Sequence, residues 1–460
     1  MRLATLPAYL HTRIVVAFAR ARQLGLMRTA LKVTSYVASP ALGLLLSPVA
    51  LALHIIGFRR LTFATARIGH LAAEPDSFLK ARALGEVPKR RWFFVAPRGK
   101  VANEHLLSYW TARIPVVRNR IASSTMIGMT SLGLMRYDTG RYVQWYDRTQ
   151  EIYRLNAKWS GRPPLLALTP EDATWGREML SSLGLPPDAW FVCVHARESG
   201  FSPQDEVMHR YRNSDPEALI PAMTEIVTRG GWCVRMGDPT ARPLPPIRGV
   251  IDYAHHPLRS ARLDVVLCAE ARFFLGNSSG LALVSSVFGR PSLLVNMVPM
   301  TGLGILPTDL TIPKLYWNIA ERRLLRFDES LGTPAGSYRF ATQYERVGIE
   351  LRENSSDEIL DATIEMLDTL AQRYIPNPED ERRQRSFMSL LRPNDYGYGA
   401  ASRISAAFLR KYRHLLPTGT GQRETLHEFA GAAGIGAVPR YFDSDTSPMN
   451  ESLDSKSSQN

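Results

Sequence analysis

The sequence predicts an α/β fold with doubly wound parallel sheets, and three observations support this prediction. Short apolar strands alternate with helical segments of ten or more residues from about residue 61 to about residue 300. Small and polar residues come directly after several of these strands. The 460 residues are 45% hydrophobic and 22% charged, which is ordinary for a globular chain of two or three domains. This composition excludes collagen, a wholly disordered chain and a polytopic membrane bundle.

The first part of the alternation contains three predicted strands, LTFATAR (61–67), RWFFVAP (91–97) and IPVVRN (114–119). We expect residues 68–70 to form a loop, followed by a helix through Leu79, and a second helix over 103–113. Short apolar strands joined by such helices are typical of parallel βαβ units. Residues 121–190 are rich in Tyr, Trp and Arg and are predicted only as mixed structure, ending in a helix over 170–183.

A second series of predicted strands is WFVCVH (190–195), WCVRMG (232–237), GVIDYA (249–254), RFFLG (272–276) and PSLLVN (291–296). Asp215 before Pro216 is an N-cap followed by proline at the first helical position, which predicts a helix to Thr228. Further helices are expected over 263–271, 279–288, 357–373 and 402–413. Two such series predict two Rossmann-like domains that face a cleft.

Most of the net charge of +13 lies at the N-terminus, because residues 1–73 hold nine basic residues and no acidic one. The other residues, 74–460, carry a net charge of only +4, which argues against a protein that coats nucleic acid. Lys32 and Arg59 bracket 26 uncharged residues, which as a helix would reach roughly 39 Å. Pro40 and Pro48 interrupt this stretch, and basic residues flank both of its ends. We expect residues 1–60 to be a membrane-associating helical segment without a secretory signal; the alternative is a buried helical hairpin.

Two further features are interpreted without a catalytic role. Cys193, Cys233 and Cys268 have no C-x-x-C spacing and lie in apolar stretches, which predicts buried reduced thiols. Residues 417–460 are predicted to be a disordered tail. The D-x-D sequence at 443–445 resembles a metal-binding pair of sugar transferases, but it lies in this tail and not at the end of a strand, so we interpret it as coil.

Polar clusters follow four strands of the second series, where ligands bind in doubly wound sheets. The clusters consist of His195, Arg197, Glu198, Ser199 and Gly200; of Arg235, Gly237 and Asp238; of Asp252 and Tyr253; and of Asn277, Ser278, Ser279 and Gly280. The last cluster offers free N–H groups and hydroxyls at a helix start, which suits an anion, although an ordinary serine N-cap gives the same pattern. Arg197 and Arg235 favour a diphosphate there, although each alone also fits an ion pair.

Several common enzyme classes lack their motifs. The sequence contains no Walker sequence, no G-x-G-x-x-G after a strand, and neither H-E-x-x-H nor a Cys/His ligand cluster. P-loop hydrolysis, nicotinamide chemistry and a zinc site are therefore not expected.

Six motifs carry a resemblance to a known family: H-A-R-E-S-G (195–200), R-N-S-D-P (212–216), R-M-G-D (235–238), I-D-Y-A (251–254), F-F-L-G-N-S-S-G-L (273–281) and F-G-R-P (288–291). With these the chain resembles bacterial glycosyltransferases of surface-carbohydrate gene clusters. Fainter similarity extends this to about residues 60–416, at R-I-G-H (67–70), V-A-N-E-H-L-L (101–107), D-L-T-I-P-K (309–314) and F-L-R-K-Y-R-H-L-L (408–416). The H-x-R motif and the small-residue loop are also similar to those of type B sugar transferases, including fucosyltransferases and heptosyltransferases.

The resemblance implies a GT-B-like architecture with an acceptor domain over 61–185, a nucleotide-sugar domain over 186–375 and helices over 376–416 that pack back across the joint. It implies that Arg197, Ser278, Ser279 and Gly280 contact the donor diphosphate, and that Asp252 and Tyr253 lie near the nucleoside. It also implies no bound metal and no cofactor, with the nucleotide sugar as co-substrate.

The acceptor side is expected in the first domain, with Gly69 and Asn103 near the acceptor and His70 as a candidate base. Glu198 and Asp205 are other candidates. The predicted function is transfer of a sugar to a lipopolysaccharide, capsule or exopolysaccharide precursor on the cytoplasmic face of the inner membrane. The predicted partners are the sugar donor, a lipid-linked or glycan acceptor and the membrane surface. The alternatives are a nucleotide-sugar epimerase of the same architecture and a catalytically inactive membrane-bound assembly factor.

Overall fold

The computed structural model describes residues 41–144, 149–200, 206 and 208–417. Its strands are β1 (Phe58–Thr62), β2 (Arg91–Val95), β3 (Val116–Val117), β4 (Arg136–Asp138), β5 (Phe191–His195), β6 (Trp232–Arg235), β7 (Val250–Ile251), β8 (Phe274–Gly276), β9 (Ser292–Met297), β10 (Leu310–Pro313), β11 (Leu315–Asn318), β12 (Arg323–Leu324), β13 (Ile349–Arg352) and β14 (Arg403–Ile404). The predictions for residues 1–40, for Asp205 and for the tail from 418 on lie outside the described residues.

The helices alternate with the strands along most of the chain. They are α1 (Ser47–Ile55), α2 (Ile68–Ala83), α3 (Glu104–Thr111), α4 (Arg120–Met129), α5 (Gly140–Val143), α6 (Glu151–Trp159), α7 (Pro170–Ser182), α8 (Ile220–Thr228), α9 (Ala261–Glu270), α10 (Gly280–Val287), α11 (Phe327–Gly332), α12 (Ala341–Arg346), α13 (Ser356–Leu370), α14 (Pro378–Met388) and α15 (Ala406–Lys411). The predicted α/β class is confirmed.

The first sheet has the strand order β3-β2-β1-β4, and all its neighbouring strands are parallel. β1 lies earlier than expected, because it pairs with β2 from Phe58 onward and ends at Thr62. Arg67 is the N-cap of α2, so His70 lies in the first turn of a helix and the loop predicted at 68–70 is wrong. The helix forms there because residues such as Leu71, Ala72 and Phe78 are buried in the core.

The second sheet has seven strands in the order β14-β10-β9-β8-β5-β6-β7, all of them parallel. The register pairs His195 of β5 with Gly276 of β8, and Val194 with Arg235 of β6. The carboxyl ends of β8, β5, β6 and β7 are therefore neighbours. A small antiparallel sheet, β12-β11-β13, follows this series in the chain.

The two parallel sheets share apolar cores within one compact unit. One core joins Leu61 and Phe94 of the first sheet to Val265 and Phe274 of the second half. The predicted boundary at 185/186 falls between the strands of the two sheets, and the division into two domains stays a prediction.

The segment 376–416 corrects one helix prediction. A helix was predicted over 402–413, but this segment starts with strand β14, which pairs with β10. Within the predicted range, only α15 is an α-helix. A two-residue strand is set by its partner across the sheet, which the local sequence does not contain. The same segment reaches the first half of the chain, because Gln150 donates its backbone N–H to the Tyr396 carbonyl at 3.1 Å.

The described part of the N-terminal segment packs on the first sheet by one side. Ala50 of α1 is buried with Phe93, Val95 and Met129. The chain enters β1 at Phe58, so the uncharged stretch is not one continuous helix over these residues. Among the residues that the structure describes, no helix combines the length and the hydrophobicity needed to cross a membrane. The three cysteines are buried free thiols, as predicted.

Candidate functional site

The four strand-end clusters lie side by side along the carboxyl edge of the second sheet. Asn277, which is fully buried, links its own loop to the loop after β5 and to residues 212–214. Its Oδ1 accepts from the backbone N–H of Arg197 at 3.1 Å. Its Nδ2 donates to the Arg212 carbonyl at 2.8 Å and to the Ser214 hydroxyl at 3.0 Å. Asn277 therefore holds three chain segments together and does not present its amide to a ligand.

Arg235 lies inside an ion-pair network, with a side chain that is 2% exposed. Its Nη2 donates to Glu198 Oε1 at 2.7 Å and to the Arg242 carbonyl at 3.0 Å, and its Nη1 donates to Asp252 Oδ1 at 3.1 Å. A guanidinium at this depth requires carboxylates beside it, because an unpaired buried charge is costly. A contact between Arg235 and a diphosphate would therefore require this network to open.

Glu198 is the counterpart of Arg235 in that network. Its other oxygen, Oε2, accepts from the Arg242 backbone N–H at 3.0 Å. Both of its carboxylate oxygens are thus engaged, which leaves Glu198 poorly suited to take a proton from an acceptor.

The loops after β5 and β6 pack closely against each other. A Cβ atom on Gly200 would lie 2.6 Å from Thr240 Oγ1, so only glycine fits this approach. Asp238 accepts from the Thr240 backbone N–H at 2.9 Å and so closes its own turn after Gly237. Ser199 is exposed at the tip of the first loop.

Asp252 and Tyr253 follow β7, as expected, but they point into different surroundings. Asp252 accepts from Arg235 and from the Leu244 backbone N–H at 3.2 Å, and its Oδ2 lies 3.0 Å from His255 Nδ1. Tyr253 is fully buried and donates its hydroxyl to Asp264 at 2.9 Å. Burial raises the pKa of this phenol. The Tyr253 side chain therefore belongs to the core and is not presented to a nucleoside.

Arg197 follows β5, and its side chain is 12% exposed. Its Nη2 pairs with Glu206 at 3.0 Å, and its Nη1 donates to Asn213 Oδ1. Asn213 in turn donates to Glu206 at 2.8 Å. This ion pair fixes the direction of the Arg197 side chain.

The N-terminal turns of α2 and α10 meet at two glycines, and we call this contact the helix junction (Ile68, Gly69, Ser279 and Gly280). A Cβ atom on Gly280 would lie 2.6 Å from Ile68 Cγ2 and 2.9 Å from the Gly69 nitrogen. A Cβ atom on Gly69 would lie 3.0 Å from Gly280 Cα. The residues predicted for the acceptor side and the donor side therefore come together here. Two helix N-termini with partial positive charge adjoin, which favours an anion.

Two polar groups at the helix junction are buried without a hydrogen-bond partner among the described residues, Ser279 Oγ and Arg212 Nε. Ser279 is the N-cap of α10, yet its hydroxyl makes no capping hydrogen bond. Arg212 donates from Nη2 to the Ser278 carbonyl, which brings its guanidinium to the start of α10. Buried donors are normally satisfied, so these two groups are candidate donors to a ligand with several acceptor oxygens.

The Arg212 guanidinium is influenced by the charges of three other arginines. Burial, together with the charges of Arg197, Arg339 and Arg67, lowers the pKa of Arg212 to about 10. Arg212 therefore remains charged at neutral pH. A cluster of like charges that is partly removed from water is stabilised by a bound anion.

His195 ends β5 beside the same cluster. Burial, and then the charge of Arg235, lowers the pKa of His195 to about 4, and Arg197 and Arg212 contribute in the same direction. Its Nδ1 is buried and has no hydrogen-bond partner within the described ranges. His195 is therefore neutral at pH 7 and has a ring nitrogen to offer to a ligand.

His70 lies one residue from the helix junction and is backed by a buried carboxylate. Its Nδ1 is 2.5 Å from Oε1 of Glu74, which is fully buried. Thr139 donates to the second oxygen of Glu74, and the same hydroxyl is 3.0 Å from the Thr62 carbonyl. This chain of contacts fixes the direction of the imidazole, which is 22% exposed.

Asn103 has a structural part in the acceptor half. Its Oδ1 caps α3 by accepting from the Leu106 backbone N–H at 2.8 Å. Its Nδ2 donates to the Ala261 carbonyl at 2.8 Å, across to the second half of the chain. Asn103 is 3% exposed, so it joins the two halves and is not presented to an acceptor.

A polar depression of about 510 Å³ lies away from the helix junction, between α3, α7 and α9. Its centre is Asp172, which accepts from His105 at 2.8 Å, from Arg262 at 2.7 Å and from the Tyr109 hydroxyl. Burial raises the pKa of Asp172, but the hydrogen bonds from Tyr109, Arg262 and His105 outweigh it, so the pKa is lowered overall. Because His105, Tyr109 and Arg262 all donate to Asp172, these hydrogen bonds link α3, α7 and α9.

Arg67, Arg212, Arg339 and Glu74 are the site residues that the pattern of strand ends does not reveal. None of them follows a strand directly, since they lie at a helix cap, in connections or inside a helix. Arg67 and Arg212 do lie within R-I-G-H and R-N-S-D-P, the motifs that carry the resemblance, and that signal could have found them. Over the described parts of the chain, no group of three or more His, Cys, Asp or Glu residues could hold a metal ion.

No protein family model and no curated protein matches the chain. Its fold is similar in part to solved glycosyltransferases. A glycosyl transferase family 9 protein of Veillonella parvula is 13% identical and has a TM-score of 0.33, covering 52% of this chain and 80% of that one. The ADP-heptose LPS heptosyltransferase II of E. coli is 11% identical with a TM-score of 0.36 (55% and 90% covered). The E. coli heptosyltransferase WaaC with ADP is 14% identical with a TM-score of 0.30 (56% and 91% covered).

Proposed function

We propose that the chain transfers a sugar from a nucleotide-sugar donor to a lipid-linked or glycan acceptor of a lipopolysaccharide, capsule or exopolysaccharide. The helix junction carries this proposal. Arg212 there has a buried Nε without a described partner, beside the orphaned hydroxyl of Ser279 and the start of two helices. A diphosphate offers several anionic oxygens to these donors at once.

The same groups suit the chemistry of the leaving diphosphate. Negative charge grows on it as the glycosidic bond breaks, and fixed donors stabilise that charge without reorganising. Arg212 stays charged because its pKa is about 10, while Arg197 is held in place by Glu206. His195 is neutral and adds a hydrogen-bonding nitrogen at the end of β5.

We propose His70 as the base and Glu74 as the residue that positions it. Glu74 engages Nδ1, so Nε2 is the nitrogen that would take the proton of the acceptor hydroxyl. The Glu74 carboxylate also stabilises the imidazolium that forms. We do not propose Glu198 for this step, because Arg235 and the Arg242 backbone engage both of its oxygens.

The proposed reaction uses no metal and no cofactor, since guanidinium groups and helix N-termini supply the positive charge at the diphosphate. We further propose that it takes place on the cytoplasmic face of the inner membrane, with the N-terminal segment attaching the enzyme.

The test is a thermal-shift and calorimetry panel of GDP, UDP, ADP, CMP and inorganic pyrophosphate. A ligand at about one hundred times its Kd stabilises the native state by about 2.7 kcal/mol. The nucleotide with the preferred nucleobase should therefore raise the melting temperature of the protein most. A folded protein that binds none of these compounds overturns the proposal. Conversion of a nucleotide sugar without any acceptor would indicate an epimerase. Unchanged glycan output from an Arg212→Met strain would indicate an inactive assembly factor.

A further inference from the structure

We propose that α1 and α4 form a docking face for an anionic bilayer surface, which deepens the membrane attachment of the proposed function. Nine of the twelve exposed large hydrophobic residues in the described part of the chain lie in and beside these two helices. We call these nine the docking face: Leu44, Leu45, Val49, Leu51, Ile55, Ile56, Ile121, Ile127 and Leu132. Exposed apolar side chains at this density mark an interaction surface, whereas single ones are ordinary.

Packing on the first sheet holds the docking face outward. Leu46 and Leu53 pack with the buried Ala50 against Phe93 and Met129. This leaves the opposite side of α1 to the solvent, where its side chains are apolar throughout.

The two parts of the docking face adjoin where the residues before α1 meet the end of α4. A Cβ atom on Gly128 of α4 would lie 2.5 Å from Leu42 Cδ2. A Cβ atom on Gly43 would lie 2.8 Å from the Gly128 carbonyl oxygen and 3.2 Å from Leu132 Cγ. The residues before α1 are therefore in direct contact with the end of α4.

Basic residues border the docking face at both ends. Ile55 and Ile56 share a shallow depression of about 350 Å³ with Lys89, Arg90 and Arg91. At the other end, Arg120 directly precedes Ile121, whose side chain is 80% exposed.

The nearby carboxylates do not neutralise this border. Glu86 pairs with Arg154 and Lys158, and Glu104 pairs with Arg118. Residues 41–58 contain no acidic residue at all.

This arrangement favours lipid over other occupants. An apolar helix face with basic edges is the pattern of helices that lie in the plane of an anionic membrane. A second copy of the chain would bring an equally apolar face, but its edges would set basic residues against basic residues. At nine residues, α1 is too short to span a bilayer, so it would lie along the surface.

The test is co-sedimentation of the full chain with phosphatidylcholine vesicles that contain or lack phosphatidylglycerol. The wild type is expected to bind the anionic vesicles more strongly, and added salt should weaken that binding. Val49→Glu/Ile55→Glu should reduce binding roughly tenfold or more, because it places two carboxylates on the docking face. Ile375→Glu is the matched control: this isoleucine is 85% exposed but lies outside the face, so binding should be unchanged. Lys89→Glu/Arg90→Glu should reduce binding to anionic vesicles only.

Two results would overturn the docking proposal. One is vesicle binding by Val49→Glu/Ile55→Glu equal to that of the wild type. The other is a wild-type dimer in sedimentation velocity that this variant dissociates, which would make a second copy the occupant. Pyrophosphate binding, measured on the same preparations without lipid, reports separately on the diphosphate site and on correct folding.

Discussion

Replacing Arg212 with methionine should separate the affinity of the site from the stability of the fold. The folded environment lowers the pKa of Arg212 from 12.5 to about 10, which corresponds to about 3 kcal/mol that disfavours the charged side chain in the native state. The lost hydrogen bond to the Ser278 carbonyl has a charged donor and offsets about 1.5–3 kcal/mol of this gain. The free energy of unfolding should therefore stay unchanged or rise by up to about 1.5 kcal/mol. Pyrophosphate should bind roughly 10- to 150-fold more weakly, because a hydrogen bond to a charged group contributes about 1.5–3 kcal/mol.

Calorimetry with pyrophosphate and urea unfolding measure the two effects, and Arg235→Met is the matched control. That second variant leaves Glu198 and Asp252 without their buried partner, so it should cost about 3–5 kcal/mol of stability. An Arg212→Met variant that is destabilised as much as Arg235→Met and still binds pyrophosphate like the wild type would show that Arg212 is a structural residue and not a diphosphate ligand.

Three further predictions concern catalysis, pH and folding. His70→Gln should lower the transfer rate roughly 10²–10⁴-fold with unchanged nucleotide affinity. Glu74→Gln should shift the pH–rate profile. Unaltered rates would show that His70 is not the base. The pKa of His195 is about 4 in the fold and 6.5 ordinarily, so between these pH values the unfolded chain binds a proton that the folded chain does not. The free energy of unfolding, measured with urea, should therefore fall as the pH is lowered from 6.5 to 4. His195→Gln should reduce that loss. Asp309→Ala should cost about 1–3 kcal/mol in urea unfolding, because three backbone N–H groups, two of them buried, lose their acceptor. Burial raises the pKa of Asp309 to about 7, so removing the charge offsets part of that loss. An equal loss in the exposed Asp361→Ala would contradict this account.

The strands were predictable where the sequence carries a continuous apolar run. The stretches at 91–95 and 191–195 are examples, because buried parallel strands require apolar residues on both faces. That the polar clusters after β5, β6, β7 and β8 lie side by side was predictable too, since the carboxyl ends of neighbouring parallel strands meet. The sequence pattern predicts a loop at 68–70, which is wrong, although glycine, here Gly69, does weaken a helix. In the fold that glycine lies within the helix, since its contact with Gly280 leaves no room for a Cβ atom.

The depth of a charged side chain was not predictable from strand position. Arg235 ends a strand and is paired with the carboxylates of Glu198 and Asp252. Arg212 lies in a connection, where the charges of other arginines act on it. Which partners a guanidinium meets depends on contacts between segments far apart in sequence. For the same reason the pairing of Glu74 with Thr139, and that of Arg197 with Glu206, could be found only in the fold.

The contact between Gly69 and Gly280 also governs when the protein can fold during synthesis. More than two hundred residues separate these two glycines, and one apolar core contains residues from both halves. At roughly 5–20 residues per second, a ribosome needs on the order of ten to forty seconds between them. Throughout that interval the nascent chain exposes the side of α2 that α10 will later cover. Residues 61–185 made alone would leave that surface uncovered, so we expect the first half of the chain to aggregate more readily without the second half.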